Sequence, residues 1–447
     1  MDEKKVIFCG SDERYLDKNL IAEGDSSGSG TAFRIPSLIK ADDTLIAVSS
    51  KQTTGDNWGF IELAVRRSTD GGESWSDIKT IAAPPARETR ASNECYASAY
   101  FINPCMAVAP NGDVVMLTEF YPECRSFDNQ KLVDKKKIPY SMYKNKMYPV
   151  IYDRNGKFYL ITENGVVLDY KYRETEYRVT DWKGSLHRGD EYLGNIFLNG
   201  KTGSGGPDDI TTFGAPLKAP KRNYIYMIKS SDKGETWSDP VDVTGDFLIP
   251  EDGAFINVAP GTGLTTADGR IVMPLYVDGK ESISVYSIDD GETWHRMASQ
   301  PYACNTDEWQ MVQASDGTVL GLGRQKGYGK TPLSISASSG KRWEKAGTTD
   351  LYSPKCQKSV INIGSHIFCS HASEKGRANG VITMGIFKRT KGRVTNIDWL
   401  SEVEINQGFF GYSCLCQIDE NTIGVLYEAA PSSYICFKKF SLDELLR

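Results

Sequence analysis

Four copies of one short pattern constrain the fold more than any other feature of the chain. Ser68-Thr-Asp70-Gly-Gly72-Glu-Ser74-Trp75 returns as Ser230-Ser-Asp232-Lys-Gly234-Glu-Thr236-Trp237 and as Ser287-Ile-Asp289-Asp-Gly291-Glu-Thr293-Trp294. A fourth copy, Ser336-Ala-Ser338-Ser-Gly340-Lys-Arg342-Trp343, has lost the aspartate. Each copy follows a short alternating run (61–65, 224–228, 282–286 and 333–335), so the pattern belongs to a hairpin turn. Asp is expected to take backbone amides two or three residues on, Gly to supply positive φ, and Trp to pack over the turn. This is a structural device and carries no catalytic role.

Repetition at this scale implies a solenoid, propeller or array. Ser287 and Ser336 lie 49 residues apart, one four-stranded blade, whereas Ser68 and Ser230 lie 162 apart. Something is inserted between the first two boxes. Within that gap, 146–161 reads as a hairpin around Asp-Arg-Asn-Gly, 165–200 as short strands broken by polar turns, and 203–220 as a Gly/Pro/Asp-rich loop. The pattern resembles the Asp-box of sialidases and related propellers. The expected fold is therefore all-β: a six-bladed β-propeller over 1–134 and 219–447, with a small irregular β domain over 135–218. Helical periodicity is lacking until one short turn at 441–446.

Composition agrees with such a chain. Its 447 residues are 40% hydrophobic and 25% charged, with 42 glycines for tight turns. A net charge of −6 without long single-sign blocks argues against a nucleic-acid partner. No apolar run reaches the ~18–20 residues of a membrane helix. The start, MDEKKVIFCGSDERY, lacks an apolar leader core, so the expectation is a cytoplasmic chain, or an extracellular or cell-surface one if a leader was removed. The ten cysteines show no CxxC or zinc spacing and read as buried free thiols, and four scattered histidines give no metal site.

Phe33-Arg34-Ile35-Pro36 places an arginine inside an apolar strand, which is costly unless it meets an anion or a salt-bridge partner. The tetrapeptide, followed 34 residues later by an Asp-box, resembles the N-terminal signature of the sialidases of glycoside hydrolase family 33. That resemblance implies a retaining exo-α-sialidase acting on sialylated glycans or sialyl-lactose-like oligosaccharides, without metal or cofactor, and a monomer is expected. Arg34, Arg324 and Arg377 resemble the carboxylate-binding arginine triad, Tyr412 the nucleophile, Glu308 the glutamate that activates it, and Asp56 the acid/base. Glu428, in Leu426-Tyr427-Glu428, resembles the residue bracing Arg34. Gln357, Asn103 and Trp309 are further sugar-contact candidates. The inserted segment, with Gly165-Val-Val-Leu-Asp169 and Tyr192-Leu-Gly-Asn195, resembles the small β domain of a bacterial subgroup.

Three departures stand out. Lys358 replaces the glycine of a Pro-x-Cys-Gln-Gly-Ser stretch, Asn103-Pro104 stands where Asp-Pro is expected, and 429–434 lacks the expected tryptophan. Some relatives with the insert release an anhydro or unsaturated sugar instead of free sialic acid, an outcome set by an aromatic that crowds water. Trp309, Trp58, Tyr427 and Tyr434 are the candidates, and hydrolysis is the favoured expectation. A non-catalytic, glycan-binding Asp-box propeller would have lost Arg34, Arg324, Arg377 and Tyr412. All four are present.

The chemistry explains the residue types. Three guanidiniums stay charged at any working pH and can clamp the carboxylate on the reacting carbon. A carboxylate nucleophile would meet like-charge repulsion there, whereas a neutral phenol does not. Tyrosine, weak at its free pKa near ~10, needs a base beside it.

Overall fold

The computed structural model describes residues 4–9, 32–52, 60–85, 99–123, 137–198, 215–220, 222–252, 255–277, 281–298, 302–303, 306–431 and 434–447. Asp56 and Trp58 lie outside them. Six antiparallel sheets form the blades of a β-propeller. Blade 1 holds Ala32–Ala41, Thr44–Gln52, Ile61–Ser68 and Lys79–Ala82; blade 2 holds Tyr100–Val108, Val114–Tyr121, Tyr224–Ser230 and Val241–Asp242. Blade 3 is built around Asn257–Val258, Ile271–Val277, Glu281–Ser287 and His295–Arg296. Blade 4 runs from Trp309–Gln313 to Glu344–Ser353, and blade 5 from Ser359–Ile363 to Arg393–Phe409. Blade 6 takes Ser413–Asp419, Thr422–Glu428 and Ile435–Ser441, and its fourth strand is Lys5–Phe8 from the other end of the chain. That strand closes the ring.

Between the second and third strands of blade 2 the chain builds a seven-stranded antiparallel meander, from Tyr140–Tyr143 to Glu191–Asn195. Its second hairpin turns at Asp153, whose carboxylate accepts the amides of Asn155 and Lys157.

Burial follows from stacking blade on blade. Every residue of Val114–Tyr121 is buried, because a middle strand is covered on both faces and cannot alternate. The long outer strand Arg393–Phe409 has exposed positions scattered along it. One cluster joins Val48 and Leu63 of blade 1, Phe101 and Met116 of blade 2, and Ile151 and Leu186 of the meander.

In the boxes, Asp70 accepts the amide of Ser74 at 2.9 Å, Asp232 that of Thr236 at 2.8 Å and Asp289 that of Thr293 at 3.0 Å. The aspartate thus reaches four residues on, not the expected two or three, because the intervening residues complete a tight turn with Gly72 at φ 88°. A Cβ on Gly72 would meet the Phe437 ring at 2.3 Å, and Trp75 packs edge-on against that same ring. The degenerate box keeps the frame: the Ser338 hydroxyl accepts the Arg342 amide at 2.9 Å.

Of the cysteines, seven are free among the described residues and six of these are buried.

Candidate active site

The innermost strands of blades 1 and 2 break register just before a proline. Blade 1 bulges between Arg34 and Ser37, and blade 2 between Ile102 and Cys105. The residue before each proline lies in the left-handed region, Ile35 at φ 60° and Asn103 at φ 59°. For a β-branched residue this is a strained conformation that persists only where its surroundings enforce it.

At Ile35 the enforcing group is Glu428. Its Oε1 accepts the Ile35 amide at 2.9 Å and pairs with Arg34 Nε at 3.3 Å, while Oε2 accepts the Tyr412 amide at 3.1 Å. One buried carboxylate therefore holds the bulge, the arginine and the backbone of the tyrosine. Gly411 is required beside it, since a Cβ there would sit 2.1 Å from Glu428 Oε2.

Tyr412 is the hub. Its hydroxyl donates to Glu308 Oε1 at 2.5 Å and accepts from Arg324 Nη1 at 2.8 Å; that same guanidinium nitrogen also pairs with Glu308 Oε2. The guanidinium carbons of Arg34, Arg324 and Arg377 lie 5.8, 5.9 and 5.4 Å from the centroid of the Tyr412 ring. Burial pushes the phenol well above its ordinary pKa; Arg324 and Arg377 pull it back, while Glu308 opposes them. Burial also works against the charge of Arg324, but Glu308 and the Tyr412 oxygen outweigh it, and the guanidinium is held above its usual value. Arg377, itself at φ 61°, reaches the Lys355 carbonyl at 3.5 Å.

The three arginines, Tyr412, Glu308 and Glu428 thus converge, from four of the six blades. Gln357 is nearby but engaged: its Oε1 accepts the Ser413 amide at 3.0 Å and its Nε2 donates to the Pro260 carbonyl at 3.3 Å. Its amide thus links the backbone of Ser413, next to Tyr412, to the Pro260 carbonyl. Asn103 donates to Glu119 Oε1 at 2.7 Å. Trp309 does not join the group. Its ring is 1% exposed, its indole N–H donates to the Leu275 carbonyl, and it packs edge-on against Trp343. Glu308 immediately precedes the strand Trp309–Gln313, whose first residue turns into the core while Glu308 stands at the site. Tyr427 and Tyr434 are buried as well, within the cluster between blades 5 and 6.

Sequence reading missed two groups. Ile35, Tyr100, Ile102, Tyr121 and Phe255 form an apolar wall in one cluster with Tyr412, and Tyr100 stacks on Tyr121 at 4.6 Å. Glu119, buried behind Asn103, has its carboxyl pushed up to about 7 by burial. The signal was available: Phe101-Ile102-Asn103-Pro104 repeats the frame of Phe33-Arg34-Ile35-Pro36, which marks the same inner-strand bulge in the next blade.

Residues 211–398 match the BNR repeat-like domain family. The chain is 27% identical to the anhydrosialidase of Macrobdella decora over 96% of its own length and 63% of that protein's. It is 26% identical to sialidase B of Streptococcus pneumoniae over 92% of its length and 63% of that protein's. The chain thus spans less than two thirds of these curated relatives. Among solved structures, the intramolecular trans-sialidase from Ruminococcus gnavus superposes with a TM-score of 0.77 at 24% identity, covering 92% of this chain and 95% of that one. The NanB sialidase of Streptococcus pneumoniae superposes with a TM-score of 0.80 at 20% identity, covering 99% of this chain and 71% of that one. With its bulged inner strands and Asp-box turns, the chain carries a BNR repeat-like domain over 211–398 and is similar in sequence and in propeller fold to bacterial-type sialidases.

Proposed function

We propose that the protein is a glycoside hydrolase that releases terminal sialic acid from sialylated glycans, with retention, through a covalent tyrosyl intermediate. The observation that carries this reading is the Tyr412 hydroxyl, held 2.5 Å from Glu308 Oε1 inside a ring of three guanidiniums. A phenol raised by burial is neutral at rest, so it approaches the anionic sugar without repulsion. Glu308 takes its proton as the oxygen attacks, and Arg324, touching both oxygens, stabilises the charge as it moves. Arg34, Arg324 and Arg377 clamp the substrate carboxylate and fix the ring for attack. Asp56 fills the remaining role, protonating the leaving oxygen and later activating the acceptor. Residues 135–218 form an inserted domain of the same protein.

A second reading has specific support: the relative that matches 96% of this chain is an anhydrosialidase, and the leech intramolecular trans-sialidase solved with 2,7-anhydro-Neu5Ac superposes with a TM-score of 0.79. In that reading the same tyrosyl intermediate is attacked by the sugar's own hydroxyl, giving 2,7-anhydro-sialic acid.

A fluorogenic sialoside tests both. Tyr412→Phe and Asp56→Ala should each lose about 10²–10⁴-fold in turnover; full activity in both variants would overturn the mechanism. The mass of the released sugar, at free sialic acid or one water lighter, decides between hydrolysis and the anhydro product.

A further inference from the structure

Lys358 is almost wholly buried, and among the described residues it forms no ion pair. Its ammonium instead donates to the Gly323 carbonyl at 3.0 Å and to Gln325 Oε1 at 3.0 Å. Gly323 and Gln325 are the two chain neighbours of Arg324. Gln325 is itself fixed, its Nε2 donating to the carbonyls of Gly329 and Ser353. The backbone of Lys358 is equally constrained. The Gln357 side chain accepts the Ser413 amide, and the Ser359 hydroxyl accepts the Leu415 amide at 2.9 Å. Residues 357 and 359 thus grip the strand that follows Tyr412, while the side chain between them reaches the other way, to the flanks of Arg324. A buried ammonium is tolerated only with compensation. Here its direct partners are a carbonyl and an amide, which supply dipoles but no charge.

We propose that Lys358 is a positioning residue for the carboxylate clamp: it ties the Gly323 carbonyl and the Gln325 side chain, on either side of Arg324, to the Tyr412 strand and adds positive charge behind the triad. An incoming carboxylate then supplies the negative charge that the pocket lacks. Within the described site, Arg34, Arg324, Arg377 and Lys358 face two carboxylates, Glu308 and Glu428. A glycine at this position could do neither job.

The proposal has a pH signature. Burial lowers the Lys358 ammonium from 10.5 to about 8. It is charged below that value and loses its charge as the pH rises through it, so affinity for a carboxylate ligand falls on the alkaline side. The groups facing Lys358 are Cys356, Cys369, Arg324, Glu308 and His371. Burial pushes the Cys356 thiol up to about 11 and the Cys369 thiol up to about 12, and it lowers His371 to about 4. None of these three titrates near 8.

The inference rests on the sialidase reading, and calorimetric binding of 2,3-didehydro-2-deoxy-N-acetylneuraminic acid separates the two. In the unaltered protein, affinity should decline above about pH 8. In Lys358→Met the Kd and the KM for a sialoside should rise roughly tenfold, the size of one charge-assisted contact. The alkaline decline should vanish, and KM should change by a larger factor than kcat. A Kd that is flat with pH in the unaltered protein refutes the proposal even if the variant fails to fold. So does a Lys358→Met protein with unchanged Kd and an unchanged pH profile, while normal turnover leaves the sialidase reading standing. Neither binding nor turnover in the unaltered protein removes both.

Discussion

Glu428→Gln tests how the site is held together. The exchange keeps shape and volume but replaces one acceptor oxygen with a donor. In the native protein Oε1 serves two donors, Ile35 N and Arg34 Nε, and Oε2 serves Tyr412 N. The glutamine would keep its oxygen toward the pair and turn its NH₂ against the Tyr412 amide. That leaves a buried N–H facing another donor, at a cost of about 1–3 kcal/mol. Arg34 also loses the charge of Glu428 in a site where its side chain is only 12% exposed. Breaking a buried pair from one side costs about 3–5 kcal/mol, and the residual exposure and the remaining oxygen reduce this share. A net loss of about 2–4 kcal/mol follows, read as a lower unfolding midpoint. With Arg34 and Tyr412 both released from fixed positions, KM for a sialoside should rise roughly 10–100-fold and kcat should fall. A folded Glu428→Gln enzyme with unchanged midpoint and KM would refute the idea that this carboxylate organises the site.

Gly411→Ala should give the same phenotype from the opposite side, because its Cβ would strike Glu428 Oε2; overpacking of this kind costs about 1–3 kcal/mol, and a wild-type KM would exclude it. Asp70→Ala should lower the unfolding midpoint and leave kcat and KM alone. The hydroxyl and amide of Ser74, with Ser68, hold the Asp70 carboxyl far below its ordinary 3.8. Its contribution is therefore present above that value and fades as the pH falls below it, so variant and wild type should converge in strong acid and differ near about pH 6.

The architecture was legible because its signal is local. A box of eight residues carries its own turn, and four boxes reveal the repeat without any knowledge of packing. Arg34, Arg324, Arg377, Glu308, Tyr412 and Glu428 were legible through short motifs in a fixed order. What could not be read was which of them touch: Glu428 meets the Ile35 amide across 393 positions of chain. Gln357 reads in the sequence only as a conspicuous amide; that each of its ends makes a backbone hydrogen bond, to Ser413 and to Pro260, depends on the fold. Trp309 directly follows Glu308 at the start of a strand, and its indole is buried and bonded to the Leu275 carbonyl, a placement that the sequence alone does not give. Lys358 stood out only as a departure; its meaning depends on the carbonyl of a different blade.

Each functional group in this site is held by another blade. Blade 6 supplies Glu428 to Arg34 of blade 1, blade 4 supplies Glu308 and Arg324 to Tyr412, and Gln357 at the start of blade 5 pins Ser413. The Arg34–Glu428 pair crosses the joint between blades 1 and 6, where Lys5–Phe8 completes the last sheet. Phe8 and Phe33 meet across the same joint at 5.3 Å. The clamp therefore reaches its geometry only in a closed ring, and the strain at Ile35 is sustained by that closure. The inserted meander bears on the site differently. It leaves blade 2 after Tyr121, whose ring shares a cluster with Tyr412, so it departs from the rim that carries the chemistry. The two proposed products share one proposed clamp and nucleophile, and they differ only in which hydroxyl attacks afterwards, water or the sugar's own.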